Sequence, residues 1–317
     1  MKPRLLITRK VFPEVLLRLE PHFEIRDNES DEQWGVPQMH SAIADRDALL
    51  VCASDQIVAA LLQRAPDLKM IASASVGFNQ IDITTCTARG IAVTNTPDVL
   101  TEATADMAWA LLMATARRVC ESEHWLRAGH WKRWAFDQFL GQPIHGATLG
   151  IIGMGRIGSA VARRARGFSM KVIYSNRSRA SNEAELGATW VEKDELLARA
   201  DHIVLVVPYS AQTHHLIAAR ELSLMKSTAV LVNIARGGII DDQALAQALQ
   251  SGQLGGAGLD VYENEPALLP ALLDLKNVTL TPHLGSATRP TRVAMAMLAA
   301  DNLICWATGV PLLTPVA

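Results

Sequence analysis

Long apolar runs are missing from this sequence: no apolar stretch of about 18 residues occurs, so no segment is predicted to span a membrane. The first residues also lack the pattern of a secretory signal. The four cysteines, Cys52, Cys86, Cys120 and Cys305, form neither a CxxC pair nor a cysteine–histidine cluster, which argues against a zinc site and against a disulfide framework. We therefore expect reduced thiols in a cytoplasmic protein.

Neither sign of charge dominates, because 30 Lys and Arg stand against 32 Asp and Glu, a formal net charge of −2. This balance gives no reason to expect nucleic acid or an anionic membrane as a partner, so any basic site must be local. With 317 residues, 49% of them hydrophobic, the chain is long and apolar enough for two globular domains.

Short apolar runs alternate with helical patterns along the whole chain, which predicts an α/β fold with parallel strands and crossover helices. The first series of predicted strands is residues 4–8, 48–52, 69–75 and 91–95, with a helical pattern at 54–65. The second series is residues 147–153, 171–176, 202–207, 228–234, 256–261 and 278–282. A long helix predicted from Thr101 to Arg118 separates the two series, and another over residues 291–309 follows the second. Periodicity alone leaves open which domain that final helix joins.

The stretch "LGIIGMGRIGSAVARRARGF" has the pattern GxGxxG at Gly153, Gly155 and Gly158. A lone pattern of this kind is weak, but here an apolar strand precedes it and an amphipathic helix follows. In such a turn the glycines permit the bend, the approach of a pyrophosphate and the close packing of helix on strand. The segment therefore predicts a dinucleotide site.

The next strand should end in an acidic residue that holds the ribose 2′-hydroxyl of NAD, and it does not. The stretch "KVIYSNRSRA" has Asn176, Arg177, Ser178 and Arg179 at that place. Asn176 does not repel a 2′-phosphate, the two arginines can neutralise it and the serine can donate a hydrogen bond. A solvated basic loop is the alternative, and NADPH is the prediction.

Three further motifs each place polar residues at the end of a predicted strand, where open α/β sheets carry their chemistry. They supply Arg236 in "VNIARGG", Asp260 and Glu265 in "GLDVYENEP", and His283 in "TPHLGSAT". Reduction of a 2-oxo acid needs a cation for the carboxylate, a proton donor for the carbonyl oxygen and a carboxylate to orient that donor. Arginine, histidine and glutamate meet those needs.

Each of these residues could also be structural, since strand-end arginines often form salt bridges and nine histidines are available. The pair His214 and His215 is the main rival to His283. Because it follows "VVPYSAQ" in a predicted loop, we expect it at the surface or at the edge of the coenzyme site.

Six motifs occur in a fixed order along essentially the whole chain: "SVGFNQID", "NTPDVLTEATADMAWALLMATARR", "LGIIGMGRIG", "VNIARG", "GLDVYENEP" and "PHLGSATRPTR". Together they resemble the D-isomer-specific 2-hydroxyacid dehydrogenase family. The resemblance is strongest to glyoxylate/hydroxypyruvate reductases, including the bacterial 2-ketogluconate reductases. In those enzymes a short basic segment likewise replaces the acidic ribose residue, and NADPH is preferred.

The resemblance implies two Rossmann-like domains, a doubly wound parallel-sheet coenzyme domain inserted in a flavodoxin-like substrate domain. The substrate domain would comprise residues 1–99 and 288–317, including the final helix, and the NADP-binding domain residues 100–287. Trp131 and Trp134 could simply fill a core or an interface. In related reductases a tryptophan of this loop reaches the partner's active site, so the resemblance implies a homodimer in which Trp134 has that role.

The resemblance also implies a role for individual residues. Arg236 would bind the substrate's carboxylate and carbonyl, His283 would transfer the proton and Glu265 would be the partner of His283. The substrate would also contact backbone N–H groups of Val76 and Gly77, as well as Ser286. Beyond the glycine turn and the basic loop, coenzyme contacts would come from Thr104, Arg156, Ile157, Pro208, Ile234, Gly285 and Asp260, the last of these holding the carboxamide.

The sequence thus predicts a homodimeric, NADPH-dependent reductase of small 2-oxo acids such as glyoxylate, hydroxypyruvate or 2-ketogluconate. One alternative is another dehydrogenase of the family, such as D-3-phosphoglycerate dehydrogenase. Many of those carry a regulatory domain for which this chain has no room. The other is a non-catalytic nucleotide sensor like the dehydrogenase-like transcriptional corepressors, which the complete set of Arg236, Glu265 and His283 argues against.

Overall fold

The structure is a computed structural model that describes residues 1–316. The chain forms two compact units: unit 1 contains residues 1–100 and those from Ala287 onward, and unit 2 contains Thr101–Ser286. Each boundary lies one residue from the domain boundaries predicted above. The assignment of substrate to one unit and coenzyme to the other stays a prediction.

Unit 1 is built on a five-stranded parallel sheet. Its strands are β1 (Arg4–Ile7), β2 (Glu24–Asp27), β3 (Ala48–Val51), β4 (Met70–Ser73) and β5 (Ala92–Thr94). They lie in the order β2-β1-β3-β4-β5, which is the flavodoxin-like arrangement. The central strands β3 and β4 are buried along their whole length, because helices cover both faces of the sheet.

Five helices pack on that sheet: α1 (Pro13–Leu19), α2 (Val36–Ile43), α3 (Ala59–Leu62), α4 (Ile83–Ala88) and α13 (Arg289–Thr308). The last of them starts where the Thr288 side chain accepts a hydrogen bond from the Thr291 N–H, and it ends at Gly309 in the left-handed conformation. Its alanines and Leu303 pack against residues of β1, β3 and β4. The final helix therefore belongs to unit 1. Periodicity alone had left open which domain it joins.

Unit 2 is built on a seven-stranded parallel sheet. Its strands are β6 (Thr148–Ile152), β7 (Lys171–Ser175), β8 (Ala188–Trp190), β9 (His202–Leu205), β10 (Val230–Asn233), β11 (Gly256–Leu259) and β12 (Val278–Leu280). The order β12-β11-β10-β9-β6-β7-β8 reverses direction between β6 and β9. Ligands of doubly wound sheets bind outside the carboxyl ends of the strands at such a reversal.

Helices cover both faces of this second sheet as well, over two separate apolar clusters. They are α5 (Thr101–Ala116), α6 (Val119–Arg127), α7 (Arg156–Ala165), α8 (Glu183–Leu186), α9 (Lys193–Arg199), α10 (Ala219–Leu224), α11 (Asp242–Gln250) and α12 (Pro270–Leu273), with a 3₁₀ turn at Arg166–Phe168. Among residues 1–316, no helix has both the length and the apolar character needed to cross a bilayer.

Two predicted helices are shorter than expected. The segment 54–65 is helical only over α3, because Asp55 accepts hydrogen bonds from Cys52 N–H and from the Thr8 hydroxyl, and Ile57 pairs with Ile81 as a β-bridge. The predicted helix 101–118 ends at Ala116, and Arg118 takes a left-handed conformation before α6 begins. In the first place side-chain and backbone pairing replaces the helical turn that the apolar pattern favoured, and in the second the left-handed backbone at Arg118 ends it.

Two strands have no counterpart among the predicted ones, namely β2 and β8. Both lie at the edge of a sheet, and both alternate between exposed and half-buried positions. An edge strand is partly solvated, so its sequence carries no continuous apolar run to mark it.

Candidate active site

The carboxyl ends of the strands in unit 2 carry most of the predicted site residues. Gly153 follows β6, Asn176 follows β7 and Pro208 lies three residues beyond β9. On the other side of the reversal, Ile234 and Arg236 follow β10, Asp260 follows β11 and His283 lies three residues beyond β12. Parallel pairing brings these ends to one edge of the sheet.

His283 and Glu265 form a hydrogen-bonded pair, with 2.8 Å between His283 Nδ1 and Glu265 Oε2. A carboxylate only accepts, so Nδ1 carries the hydrogen and Nε2 is left to exchange a proton. The other oxygen, Oε1, accepts a hydrogen bond from the Tyr262 N–H at 2.9 Å. Burial alone would raise the pKa of Glu265, but these two hydrogen bonds and the charge of Arg236 outweigh it and lower the pKa. Glu265 is therefore an anion beside the imidazole.

Asp260 holds the turn that presents His283. It is 1% exposed, and its Oδ1 accepts from Leu284 N–H and from the Thr281 hydroxyl, each at 2.6 Å. Its Oδ2 accepts from Gly285 N–H at 2.7 Å. His283 itself has a φ of +55°, a strained value for a non-glycine residue that the surrounding hydrogen bonds maintain. Sequence reasoning missed this bracing role; the contact of Asp260 with a carboxamide stays a prediction.

Arg236 is placed by Asn233, the last residue of β10. The Asn233 amide donates to the Arg236 carbonyl at 3.0 Å, and its Oδ1 accepts from Ala235 N–H at 3.1 Å. Burial lowers the pKa of Arg236, partly opposed by Glu265, but an arginine remains charged. A Cβ at Gly237 would collide with the carbonyl of Tyr262, so the turn that carries Arg236 touches the turn that carries Glu265.

The glycine turn fits a pyrophosphate. Gly153 has a φ of +106°, and a Cβ at Gly158 would collide with the Gly153 carbonyl. A Cβ at Gly155, by contrast, would have no neighbour within 4 Å, so this side of the turn is open. Gly155 is the N-cap of α7 and no side chain caps that helix, which leaves first-turn N–H groups for an anion. The predicted contacts Arg156 and Ile157 are the first residues of α7.

The basic loop after β7 is held in a defined conformation. Asn176 Oδ1 accepts from Met154 N–H at 2.7 Å, which ties the loop to the glycine turn. Arg177, Ser178 and Arg179 are all exposed, and Arg179 also forms an ion pair with Glu183 at 3.1 Å and lies over the Trp190 ring. Sequence reasoning missed Glu183, which lies beyond the predicted ribose position and offsets one of the two arginine charges.

The remaining predicted residues are dispersed. Thr104, on α5, lies beside Gly285 and Asp260, since a Cβ at Gly285 would be 3.5 Å from Thr104 Cγ2 and 3.2 Å from Asp260 Oδ2. Ser286 is the last residue of unit 2, and Val76 and Gly77 belong to unit 1. Trp134 is 72% exposed and packs edge-on against Phe136.

The rival histidines form a separate cluster. His215 Nε2 lies 2.5 Å from Glu263 Oε1, and the rings of His214 and His215 stack with centroids 3.9 Å apart. His214 Nδ1 lies 3.2 Å from the Tyr209 hydroxyl. In the described part of the chain, no three His, Cys, Asp or Glu side chains are arranged to hold a metal ion.

Comparison with known proteins shows which family has this sheet and these residues at its strand ends. Residues 109–285 match the family model described as D-isomer specific 2-hydroxyacid dehydrogenase, NAD binding domain. The chain belongs to this family. It is therefore an oxidoreductase with a parallel-sheet coenzyme domain, of a family that interconverts 2-oxo and 2-hydroxy acids.

Individual relatives are similar over nearly the whole chain. A protein of Thermococcus onnurineus named glyoxylate reductase is 48% identical over 98% of this chain and 94% of its own length. The NADPH-dependent glyoxylate/hydroxypyruvate reductase of Sinorhizobium meliloti, solved with NADP and malonate, superposes with a TM-score of 0.87 at 39% identity, covering 100% and 97% of the two chains. The D-lactate dehydrogenase of Aquifex aeolicus, solved with NAD and lactic acid, gives 0.86 at 29% identity, covering 96% and 95%.

Two alanine substitutions in the glycine turn should affect different properties, one the folding stability and the other the coenzyme affinity. Gly158→Ala forces α7 away from β6, and we expect it to cost on the order of 1–3 kcal/mol of folding stability. Gly155→Ala meets open space at an ordinary backbone conformation, so its melting temperature should match that of the wild type while its coenzyme affinity falls. Thermal unfolding and coenzyme titration measure the two effects; equal losses of stability would contradict the geometry.

Asp242 gives a pH-dependent prediction. It is 5% exposed, and burial, opposed by a hydrogen bond from Glu263 N–H and assisted by the charges of Glu263 and Asp241, raises its pKa to about 6. Because this exceeds the unfolded value of about 3.9, the folded state binds more protons between the two values, and stability falls as pH rises. Asp242→Asn should therefore be roughly 2–3 kcal/mol more stable than the wild type near pH 8.

That advantage should shrink as the pH falls through about 6 and vanish near 4, where the wild-type carboxyl is also neutral. Denaturant unfolding of both proteins across this range measures it. An advantage that is independent of pH would show that the amide stabilises by packing and that charge has no part.

Proposed function

We propose that this chain is an NADPH-dependent reductase that converts small 2-oxo acids to D-2-hydroxy acids. Glyoxylate and hydroxypyruvate are the proposed substrates, and 2-ketogluconate is a further one. The observation that carries the proposal is the 2.8 Å pair of His283 and Glu265, together with the contact between the turn that carries Glu265 and the turn that carries Arg236. The names of the relatives from Thermococcus onnurineus and Sinorhizobium meliloti support it.

The chemistry follows from the protonation states of these residues. A bound dihydronicotinamide supplies the hydride for the carbonyl carbon. The anionic Glu265 stabilises a protonated His283, whose Nε2–H donates to the carbonyl oxygen and passes it the proton. Afterwards the neutral imidazole keeps its Nδ1–H on Glu265. Arg236 stabilises the negative charge that develops on the oxygen, an effect on the order of 3 kcal/mol in comparable sites.

The coenzyme would lie along the strand ends of unit 2. The open Gly155 and the uncapped start of α7, with Arg156 and Ile157, would hold the pyrophosphate. Arg177, Ser178 and Arg179 would bind the 2′-phosphate, with Arg179 sharing part of its charge with Glu183. Thr104, Asn176, Pro208, Ile234, Asp260 and Gly285 are the remaining proposed contacts. NADP in the Sinorhizobium meliloti reductase and NAD in the Aquifex aeolicus enzyme show that relatives differ in coenzyme.

We further propose that unit 1 binds substrate through Val76 and Gly77, that Ser286 contributes, and that the protein is a cytoplasmic homodimer. Exposed apolar side chains support the dimer: Trp134, Phe136 and Leu140 are 72%, 87% and 67% exposed along one segment of unit 2. Such a patch is costly to leave in water, and a second copy of the chain would cover it. Trp134 is the side chain proposed to enter the partner's site.

The function is tested by coenzyme oxidation with glyoxylate, hydroxypyruvate, 2-ketogluconate and pyruvate, each with NADPH and with NADH. His283→Ala should reduce turnover roughly 10²–10⁴-fold, because it removes the proton donor, and leave coenzyme binding intact. His145→Ala, at an exposed loop position, is the matched control and should keep wild-type turnover. Full activity of His283→Ala would refute the mechanism. A wild type that binds NADPH but reduces no 2-oxo acid would favour a sensor.

Coenzyme choice is tested in the basic loop. Arg177→Asp should weaken NADPH binding at least tenfold more than NADH binding, because a carboxylate there repels the 2′-phosphate and leaves the hydroxyl of NADH unaffected. Adding Arg179→Ala should extend the difference. Arg166→Asp makes the same change of charge beyond the far end of α7 and serves as the control. Dissociation constants from fluorescence titration decide the matter, and equal weakening of both coenzymes would exclude this loop as the phosphate site.

A further inference from the structure

In the loop that follows β4, four successive carbonyls, those of residues 75–78, accept hydrogen bonds from within unit 1. The Ser75 carbonyl accepts from Thr96 N–H at 2.9 Å, and the Phe78 carbonyl accepts from Ile81 N–H at 3.0 Å. Between them, the Val76 carbonyl accepts from the Asn95 side-chain amide at 2.8 Å. The Gly77 carbonyl accepts from the Ser75 hydroxyl at 2.6 Å. Two of these four tethers are therefore made by side chains, Asn95 and Ser75.

A buried network fixes the direction of the Ser75 hydroxyl. A carbonyl can only accept, so the single hydrogen of Ser75 Oγ goes to Gly77. Ser75 Oγ must then accept from Ser73 Oγ at 2.8 Å and from Gln80 Nε2 at 3.3 Å. Gln80 also donates to Ser73, and all three side chains are buried. Every hydrogen bond in the network thus points toward the Gly77 carbonyl.

The tethers also determine where the N–H groups of the loop point. The peptide bonds of this loop are trans, so each N–H is directed opposite to the carbonyl of the same peptide. The N–H groups of Val76, Gly77 and Phe78 therefore point away from their tethered carbonyls. Within residues 1–316 none of the three donates a hydrogen bond. Successive main-chain N–H groups with no acceptor in the protein are the kind of donors that bind anions.

We propose that Ser75 and Asn95 are positioning residues that direct the N–H groups of Val76, Gly77 and Phe78 at the carboxylate of the 2-oxo acid. This inference rests on the proposed function. It adds Phe78 N–H to the two donors that family resemblance implies, and it gives the cause of their orientation. Neither positioning side chain touches the substrate; each acts by holding one carbonyl.

The test compares a charged substrate with its uncharged ester. In Ser75→Ala, kcat/KM for glyoxylate relative to methyl glyoxylate should fall roughly tenfold, because charge-assisted hydrogen bonds to the carboxylate are lost. The loss should appear in KM, with kcat and the coenzyme dissociation constant little changed. Oxamate binding, measured by calorimetry, should weaken by a similar factor. A merely structural role would reduce activity with acid and ester alike.

Three further variants keep the result interpretable. Asn95→Asp keeps the shape of the side chain and removes its hydrogen-bond donor, so it should also lower kcat/KM for glyoxylate relative to methyl glyoxylate. This variant provides the test if Ser75→Ala does not fold. Ser75→Thr keeps the hydroxyl and should restore the ratio. Ser54→Ala, an exposed serine of unit 1, should have no effect. An unchanged ratio in both Ser75→Ala and Asn95→Asp overturns this assignment alone, whereas a wild type that neither reduces glyoxylate nor binds oxamate overturns the proposed function with it.

Discussion

The carboxylate of Asp260 accepts three hydrogen bonds from the turn after β12, and the placement of His283 depends on them. These hydrogen bonds hold the backbone at His283 in the left-handed region, which non-glycine residues seldom adopt. Asp260 directly follows the buried strand β11, so the sheet fixes the position of its carboxylate. The sheet thereby limits the movement of His283, the half-exposed side chain that is proposed as the proton donor.

Contact between two turns serves the same purpose for the other charged groups. Gly237 lies so close to the Tyr262 carbonyl that no side chain fits between them. Tyr262 in turn donates its N–H to Glu265, and the single hydrogen of its buried hydroxyl is shared between the carbonyls of Leu259 and Thr281. One tyrosine thus touches the turns that carry Arg236, Glu265 and His283. Movement of any one turn would disturb the other two.

The sequence was sufficient to predict the α/β class, ten of the twelve strands in residues 1–316 and the family, because central parallel strands are continuous apolar runs and the family's motifs follow their ends. It was insufficient for β2 and β8, whose solvated positions resemble loops. It also missed Asn233, Glu183 and the bracing role of Asp260. Those roles depend on which residues are in contact in the folded chain, and these contacts cannot be predicted from the spacing of residues in the sequence.

The tether from Asn95 to the Val76 carbonyl has its own support, since the Asn95 carbonyl accepts from the Thr314 hydroxyl, 219 residues further along the chain. Thr314 is held by the buried side chain of Asn302 on α13. A chain emerging from the ribosome would therefore complete β1 to β5 long before this support exists. The loop after β4 can reach its final geometry only once the segment around Thr314 has been synthesised, so formation of the anion site is delayed until nearly all of the described chain is made.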